Sequence, residues 1–319
     1  MDRKYVTETV LADAAGIDRA ARILAEGGLV AVPTETVYGL AARADSDEAV
    51  ARIYAAKGRP DFNPLIVHVR DAEQAARYAE WSDDAEIATM IHWPGPLTLV
   101  LPARPDTGLA AAVTAGLPTV ALRAPAHPAM RQLLDRIDFP LAAPSANRSG
   151  FISPTSAEHV LASLDGRIDM VLDAGPTENG VESSIVAIRE GGRWEELRPG
   201  PVDIDALHRH YFERGLDRSA TGGIEAPGQL ASHYAPGKPV RLDATEADPD
   251  EFMIGFGAVA GDVTLSAGGN LREAAARLYA CLHLGAASDK PRIAVAPVPG
   301  EDVGRAINDR LRRAATLPG

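Results

Sequence analysis

The chain has 319 residues, a hydrophobic content of 46% and a formal net charge of −12. This length favours two domains or one large one, and the composition is typical of a globular protein. The acidic balance argues against a broad RNA or DNA contact surface, which normally carries a basic face. A single cysteine, Cys281, excludes an internal disulfide and a thiolate-rich metal site. The N-terminal segment lacks an apolar stretch of signal-peptide length, and we expect a cytoplasmic protein.

Apolar periodicity predicts alternating helices and strands through the first two thirds of the chain. The predicted helices are 17–26, about 46–57, 72–80, 83–92, 128–136, 155–163 and 203–213. The predicted strands are 29–34, 64–69, 97–103, 119–125, 141–147, 169–175 and 183–189. The alternation indicates α/β layers, and the adjacent late strands favour a mixed sheet over a purely parallel one.

The pattern then divides the chain into three parts. Residues 1–214 form one predicted domain. Residues 215–238 are rich in Gly, Pro, Ser and Ala, and we interpret them as a linker or lid. A flexible segment of that length spans roughly 25–30 Å. Residues 239–319 form a smaller predicted α/β domain, in which helices at 270–283 and 302–314 alternate with short apolar strands.

Polar side chains follow or interrupt the apolar strands. Lys57, Arg59 and Asn63 lie in a loop stiffened by two prolines, directly before a strand that contains His68. The other polar residues at strand ends are Thr34, Thr36, Tyr38, Thr119, Arg123, Ser145, Asn147, Ser149, Ser183, Ser184 and Arg198. In open α/β sheets the ligand crevice lies at strand ends. Four cations with hydroxyl and amide donors suit a triphosphate and a carboxylate.

Each of these residues also has a purely structural explanation. Arg123 and Arg198 are also compatible with surface positions, His68 with a hydrogen-bonded core, and the serines with turns. There are two interpretations of the acids Asp106, Asp173 and Glu182: Mg²⁺ binding or the capping of turns. Turn capping is favoured. The chain contains no GxxxxGK[ST], no GxGxxG after the first strand and no GxSxG, so these nucleotide and hydrolase motifs give no support.

Residues 33–69, PTETVYGLAARADSDEAVARIYAAKGRPDFNPLIVHV, closely resemble the signature of the YrdC/Sua5 family. PSANRSG, GVESSIV, LRPG and APGQLASHYAP resemble its later motifs in the expected order. The resemblance implies a YrdC-like twisted mixed sheet with flanking helices, followed by a smaller Rossmann-like α/β domain, as in the two-domain Sua5 form. It implies L-threonylcarbamoyladenylate synthase activity: L-threonine, bicarbonate or CO₂ and ATP give threonylcarbamoyl-AMP and pyrophosphate. Separate transferase proteins then modify a tRNA adenosine to N6-threonylcarbamoyladenosine.

The resemblance also implies roles, residue by residue. The implied catalytic positions are Lys57, Arg59, Ser145 and Asn147. The implied ATP contacts are Lys57, Arg59, Asn63, Thr119, Ser145, Ser153, Arg198 and Tyr234. The implied threonine contacts are Thr36, His68, Arg123, Ala143 (through its backbone) and Ser184. Ser184 stands where the family often has threonine. We expect Mg²⁺ to arrive with ATP and expect no separate metal site.

Three alternatives stay open at this point. The carbamoyl-adenylate module of hydrogenase maturation is related, but its usual zinc-finger partner needs Cys pairs that this chain lacks. A double-stranded RNA, tRNA or ribosome-associated binding factor would use a concave surface of the same fold. The C-terminal domain alone could serve partner docking or regulation. We expect any direct tRNA binding to be weak or indirect, and no membrane contact.

Overall fold

The computed structural model describes residues 6–58, 63–211, 216–217, 225–226 and 233–316. They form two α/β units, which we call the N-terminal unit and the C-terminal unit. The helices of the N-terminal unit are α1 Ala14–Ala25, α2 Asp47–Lys57, α3 Ala72–Ala75, α4 Asp83–His92, α5 Ala111–Thr114, α6 Pro128–Asp135, α7 Ala157–Leu164 and α8 Ile204–Tyr211. Its strands are β1 Glu8–Leu11, β2 Val30–Val32, β3 Gly39–Arg43, β4 Ile66–His68, β5 Leu97–Pro102, β6 Thr119–Arg123, β7 Leu141–Ala142, β8 Met170–Asp173, β9 Ser184–Arg189, β10 Arg193–Arg198 and β11 Leu216–Asp217.

The strands of the N-terminal unit form one mixed sheet. Its order is β1-β8-β2-β3-β7-β4-β6-β5-β9-β10-β11. The central strands β4 and β6 are parallel, so that His68 lies opposite Arg123. Both are flanked by antiparallel neighbours, β7 beside β4 and β5 beside β6. The predicted mixed sheet with flanking helices is confirmed.

Helix α2 delivers Lys57 to the interior because its two ends are well defined. The side chain of Ser46 caps the start by accepting a hydrogen bond from the Ala49 amide at 3.3 Å. Gly58 ends the helix in the left-handed conformation, with φ of 59°, which glycine adopts without a steric penalty. Lys57 therefore occupies the last helical turn, where it is 2% exposed.

The C-terminal unit is a small parallel sheet covered by two helices. Its elements are β12 Val240–Arg241, β13 Glu251–Gly255, β14 Val263–Thr264, α9 Leu271–Ala287, β15 Arg292–Val295 and α10 Gly304–Ala315. The strand order is β12-β15-β13-β14, and all three described pairings are parallel. Cys281 is buried in the core of this unit. Val37, Ile152 and Val181 of the N-terminal unit belong to the same apolar cluster, so the two units share a packed interface.

Several elements differ from the sequence predictions. Strand β10 escaped prediction because its sequence RWEELR is mostly charged, although Trp194 is fully buried within it. The strand predicted at 141–147 ends at Ala142, and the following residues form a loop. Arg59 and most of the predicted linker, 215–238, lie outside the described residues, so the predicted three-part division stays a prediction.

Gly200 offers a test of the loop packing beneath β9. A β-carbon at this position would lie 2.2 Å from the backbone nitrogen of Ser184. We expect Gly200→Ala to lower the free energy of unfolding by about 1–3 kcal/mol, because the backbone must shift to relieve the overlap. Urea denaturation measures this, and Gly268→Ala is the control, since its β-carbon would meet nothing within 4 Å. Equal stability of the two variants would contradict the close approach.

Candidate active site

A cleft crosses one face of the N-terminal sheet beside β4 and β6. Five segments that are distant in sequence form its walls, together with the two central strands. The lining residues are Thr34, Thr36, Val37, Gly39, Ile66, His68, Arg123, Ala143, Pro144, Ser145, Glu182, Ser183, Arg198, His233 and Tyr234. Polar side chains therefore converge from the first motif, from both serine-containing motifs and from the segment that precedes the C-terminal unit.

The register of β4 and β6 separates the predicted contacts into two groups. His68 and Arg123 lie opposite each other at the carboxyl ends of the two strands. Thr119 begins β6 and Asn63 precedes β4, so both belong to the amino ends. A five-residue strand is about 13 Å long. The predicted threonine contacts His68 and Arg123 are thus about one strand length away from these predicted ATP contacts, and Thr119 does not line the cleft.

Arg123 holds the carboxyl end of the cleft together. Its Nη2 forms an ion pair with Glu35 at 2.6 Å, its Nη1 donates to the Thr36 hydroxyl at 3.0 Å, and its Nε donates to the Gly95 carbonyl at 3.2 Å. These bonds use three of the five N–H donors of a guanidinium. Burial alone would raise the pKa of Glu35, but the adjacent Arg123 outweighs it and lowers that pKa. A substrate carboxylate would share Arg123 with Glu35.

His68 is a neutral polar group in the cleft wall. The side chain is buried, and its Nδ1 has no hydrogen-bond partner within the described part of the chain. Burial, assisted by the charge of Arg123, lowers the pKa of His68 to about 3. The ring is therefore uncharged near neutral pH, and it can form a hydrogen bond with a polar substrate group. Ala143, another predicted threonine contact, lines the same cleft, with its amide bonded to the Ile66 carbonyl.

Three of the four predicted catalytic residues meet near the amino ends of the strands. The Lys57 ammonium donates to the carbonyl oxygens of Ser145 and Asn147, both at 2.5 Å. The Asn147 amide in turn donates to the Phe151 carbonyl at 2.7 Å, which fixes the loop after β7. Arg59, the fourth, lies outside the described residues. Asn63 is buried, and its backbone carbonyl accepts a hydrogen bond from the Tyr54 hydroxyl.

The two adjacent serines of the GVESSIV motif have different surroundings. The Ser184 hydroxyl donates to the Val202 carbonyl at 3.2 Å and accepts from the Val202 amide at 3.0 Å. Its donor is thus used by the backbone, and Ser184 does not line the cleft. Ser183 does line it, with its hydroxyl beside that of Thr98 at 2.8 Å. The structure therefore places Ser183 where the sequence predicts Ser184.

Ser153, Arg198 and Tyr234, the remaining predicted ATP contacts, surround Glu182. The Ser153 hydroxyl donates to Glu182 at 2.5 Å, whereas Arg198 donates to the backbone carbonyl and hydroxyl of Ser183, each at 3.1 Å. Tyr234 is 1% exposed and has a left-handed backbone with φ of 63°. Arg198 and Tyr234 line the cleft, while Ser153 lies behind it. Glu182 does not cap a turn, which is the role that the sequence favours. Its carboxylate accepts hydrogen bonds from buried donors.

The described residues contain neither a metal-binding cluster nor a membrane-spanning helix. No group of three or more His, Cys, Asp or Glu side chains within them is arranged to hold a metal ion. Within the same ranges, no helix combines the length and the apolar character that a membrane span requires.

Known proteins match this chain over most of its length. Residues 22–200 match the Sua5/YciO/YrdC family model, described as "Telomere recombination", and residues 203–316 match the Sua5 C-terminal model, described as "Threonylcarbamoyl-AMP synthase, C-terminal domain". The threonylcarbamoyl-AMP synthase of Bacillus subtilis is 38% identical over 97% of this chain and 96% of its own length. The chain belongs to the Sua5/YrdC family.

Solved structures of this family extend the comparison to three dimensions. The crystal structure of Pyrococcus abyssi Sua5 complexed with L-threonine has a TM-score of 0.86, with 35% identity and 97% coverage of both chains. Full-length HypF in its phosphate- and nucleotide-bound form matches less well, with a TM-score of 0.52, 26% identity, and coverage of 57% of this chain and 28% of its own. The two-domain Sua5 form therefore describes this family member better than the HypF module.

Two residues of the site in this Sua5/YrdC chain have no role in the sequence predictions. Glu35 has no role in the sequence predictions, although an acid between two buried threonines, Thr34 and Thr36, requires a cationic partner. The family resemblance gives the threonine contact to Ser184 and not to the adjacent Ser183. The signal that could have separated the two serines is strand alternation, because adjacent side chains point to opposite faces.

The buried carboxylates should make this family member sensitive to acid. Burial would raise the pKa of Glu182, but Arg310, Arg198 and the Ser153 hydroxyl lower it from 4.5 to about 2. A lowered carboxyl pKa stabilises the fold above pH 4.5, and that stability is lost as the pH falls towards 2. Its size is on the order of 3 kcal/mol. We expect the free energy of unfolding, from urea titrations, to fall steeply across this window.

Glu182→Gln should be less stable at neutral pH, because Arg310 loses its charged partner, yet its stability should vary less between pH 4.5 and 2. Glu301→Gln, an exposed site, is the control and should keep the wild-type slope. An unchanged slope in Glu182→Gln would show that the acid sensitivity arises elsewhere.

Proposed function

We propose that this protein is a threonylcarbamoyl-AMP synthase that forms its product from L-threonine, bicarbonate or CO₂ and ATP, with release of pyrophosphate. One observation carries the proposal: a single cleft holds a neutral histidine and an arginine at one end and a lysine-bound loop at the other. The first end suits an amino acid and the second suits a nucleotide. The curated relative named as this synthase and the threonine-bound Sua5 structure support it.

At the carboxyl end, Arg123 would bind the threonine carboxylate with the guanidinium donors that Glu35 and Thr36 do not use. The unpartnered Nδ1 of His68 would form a hydrogen bond with the threonine amine or hydroxyl. Ser183 would take the contact predicted for Ser184, because it faces the cleft. Burial of these groups strengthens each hydrogen bond, since water does not compete with the substrate.

At the amino end, Arg59 would face the phosphates, and Lys57 would hold the Ser145–Asn147 loop beside them through its bonds to the two backbone carbonyls. ATP would enter as its Mg²⁺ complex, in which the metal neutralises phosphate charge. Arg198, which lies beside Ser183, and Tyr234 would complete the nucleotide contacts from the carboxyl end of the cleft. The assignment of Arg59 rests on its place in the family motif.

The chemistry requires positioning more than a protein nucleophile. The neutral amine of threonine attacks CO₂ and loses a proton, which gives a carbamate. A carbamate oxygen then attacks the α-phosphorus of ATP, and the bond to pyrophosphate breaks. Bringing the reactants together and stabilising the phosphate charge are the main contributions of the protein. A carbamate decomposes in water, so closure of the predicted linker at 215–238 over the cleft would protect it.

The product would pass to separate transferase proteins that modify a tRNA adenosine in the cytoplasm. This protein would then contact tRNA weakly or indirectly, in keeping with its net charge of −12.

Pyrophosphate release tests the proposed function directly. With ATP, Mg²⁺, L-threonine and bicarbonate together, we expect steady release of pyrophosphate, and omission of threonine or bicarbonate should abolish it. Serine replaces threonine in the specificity control and should react more slowly. Arg59→Ala should lose most activity. An absence of threonine-dependent release would refute the synthase proposal and leave RNA binding as the leading alternative, which a salt-dependent tRNA binding assay would then examine.

Thr36→Val tests the threonine end of the cleft. The substitution keeps the side-chain shape but removes the hydroxyl that accepts from Arg123 at 3.0 Å. We expect the KM for threonine to rise about tenfold, as for loss of one charged hydrogen bond, while the KM for ATP stays nearly constant. Thr89→Val is a matched control, because that buried hydroxyl bonds only to its own helix. An equal rise in both KM values would argue against a threonine site here.

A further inference from the structure

Arg310 lies where the two units meet. This residue of α10 is completely buried, although it carries a charge. Its Nε donates to Glu182 at 2.9 Å, and its Nη1 donates to the Pro199 carbonyl at 2.8 Å and to Asp309 at 3.0 Å. A guanidinium from the C-terminal unit therefore contacts two loops of the N-terminal unit.

Both of these loops carry cleft residues. Glu182 directly precedes Ser183, which accepts two hydrogen bonds from Arg198. Pro199 directly follows Arg198. The loops also touch each other, as the close approach of Gly200 to the Ser183–Ser184 backbone shows. Arg310 thus holds the two loops together without lining the cleft itself.

Helix α9 adds a second contact from the C-terminal unit. The Tyr279 hydroxyl lies 3.0 and 2.8 Å from the two carboxylate oxygens of Glu182. Its ring lies 5.6 Å from that of Tyr234, and the Arg310 guanidinium lies 5.7 Å from the centre of the Tyr234 ring. The cleft tyrosine is thus packed against both helices of the C-terminal unit.

The charges explain why this contact matters to the cleft. Glu182 is buried between two guanidiniums, those of Arg310 and Arg198, and both lower its pKa. The carboxylate is therefore ionised near neutral pH. Without Arg310, the ionised Glu182 would draw more strongly on Arg198, because a buried charge requires compensation. Arg198 would then be less available to an anion in the cleft.

We infer that Arg310 of the C-terminal unit is a positioning residue for the nucleotide: it holds Glu182 and the loop after Arg198 so that Arg198 and Tyr234 face ATP. The C-terminal unit thereby completes the active site of the N-terminal unit. This inference rests on the proposed function, which assigns ATP to Arg198 and Tyr234.

The same helix offers a matched control. Arg305 also reaches across the interface, where it pairs with Glu196 at 2.6 Å, but it does not contact Glu182. Arg310→Met removes one ion pair between the units, and Arg305→Met removes two, to Glu196 and Asp205. We expect Arg310→Met to raise the KM for ATP about tenfold or more, and the KM for threonine by a smaller factor, because Ser183 directly follows Glu182. Arg305→Met should leave both within about twofold, and Arg310→Lys should recover part of the loss.

The double variant Arg310→Met, Glu182→Gln distinguishes a role of Arg310 in positioning Arg198 from a role in holding the two units together. It removes the uncompensated carboxylate, so we expect it to recover most of the ATP affinity lost in Arg310→Met. Thermal unfolding is followed for every variant. If Arg310→Met does not fold, Tyr279→Phe replaces it, because it removes only the phenol donor, and a rise of about threefold in the KM for ATP is expected.

Three results would overturn the inference: equal effects of Arg310→Met and Arg305→Met, equal rises in the KM for ATP and threonine, or a double variant that binds ATP no better than Arg310→Met. Binding of a non-hydrolysable ATP analogue is measured in parallel by calorimetry. A wild-type protein without threonine-dependent pyrophosphate release would refute the proposed function, whereas the analogue affinities of the variants would still decide the role of Arg310.

Discussion

The buried charge of Glu182 is the constraint on which the cleft depends. A carboxylate away from water needs charged or hydrogen-bonding partners, and Glu182 takes them from both units: Ser153 on one side and Tyr279 with Arg310 on the other. Removal of one partner from a buried ion pair typically costs about 3–5 kcal/mol. The interface between the units is therefore specified by charge as well as by its shared apolar cluster.

The length of two strands sets the distance between the predicted substrates. Because β4 and β6 are parallel and in register, His68 and Arg123 are held side by side without help from a loop. The loops that would bind the phosphates attach to the opposite ends of the same strands. A rigid central pair thus fixes the separation of the two groups, and loops adjust only the orientation of each.

The sequence alone predicted much of the fold and most of the cleft. Apolar alternation located β4, β5, β6 and β9, and polar residues at their ends identified Arg123, Arg198 and Ser145 as candidates. Strand β10 is not predicted from the sequence, because two of its acids are buried against cations. No local sequence pattern reveals such a pairing. Strand alternation separates Ser183 from Ser184 by face, but the backbone partner that occupies the Ser184 hydroxyl lies 18 residues away and is not visible in the sequence.

The position of Arg310 within the chain has a consequence for biosynthesis. Arg198 is the last cleft residue of the large sheet, and it is synthesised about 110 residues before Arg310. At the usual rate of synthesis this interval is roughly 5–20 s. During it, the nascent chain can fold its sheet, but Glu182 lacks its main counter-charge. If Arg310 positions Arg198 as inferred, a chain without α10 would bind ATP weakly, because Glu182 would compete with the nucleotide for Arg198.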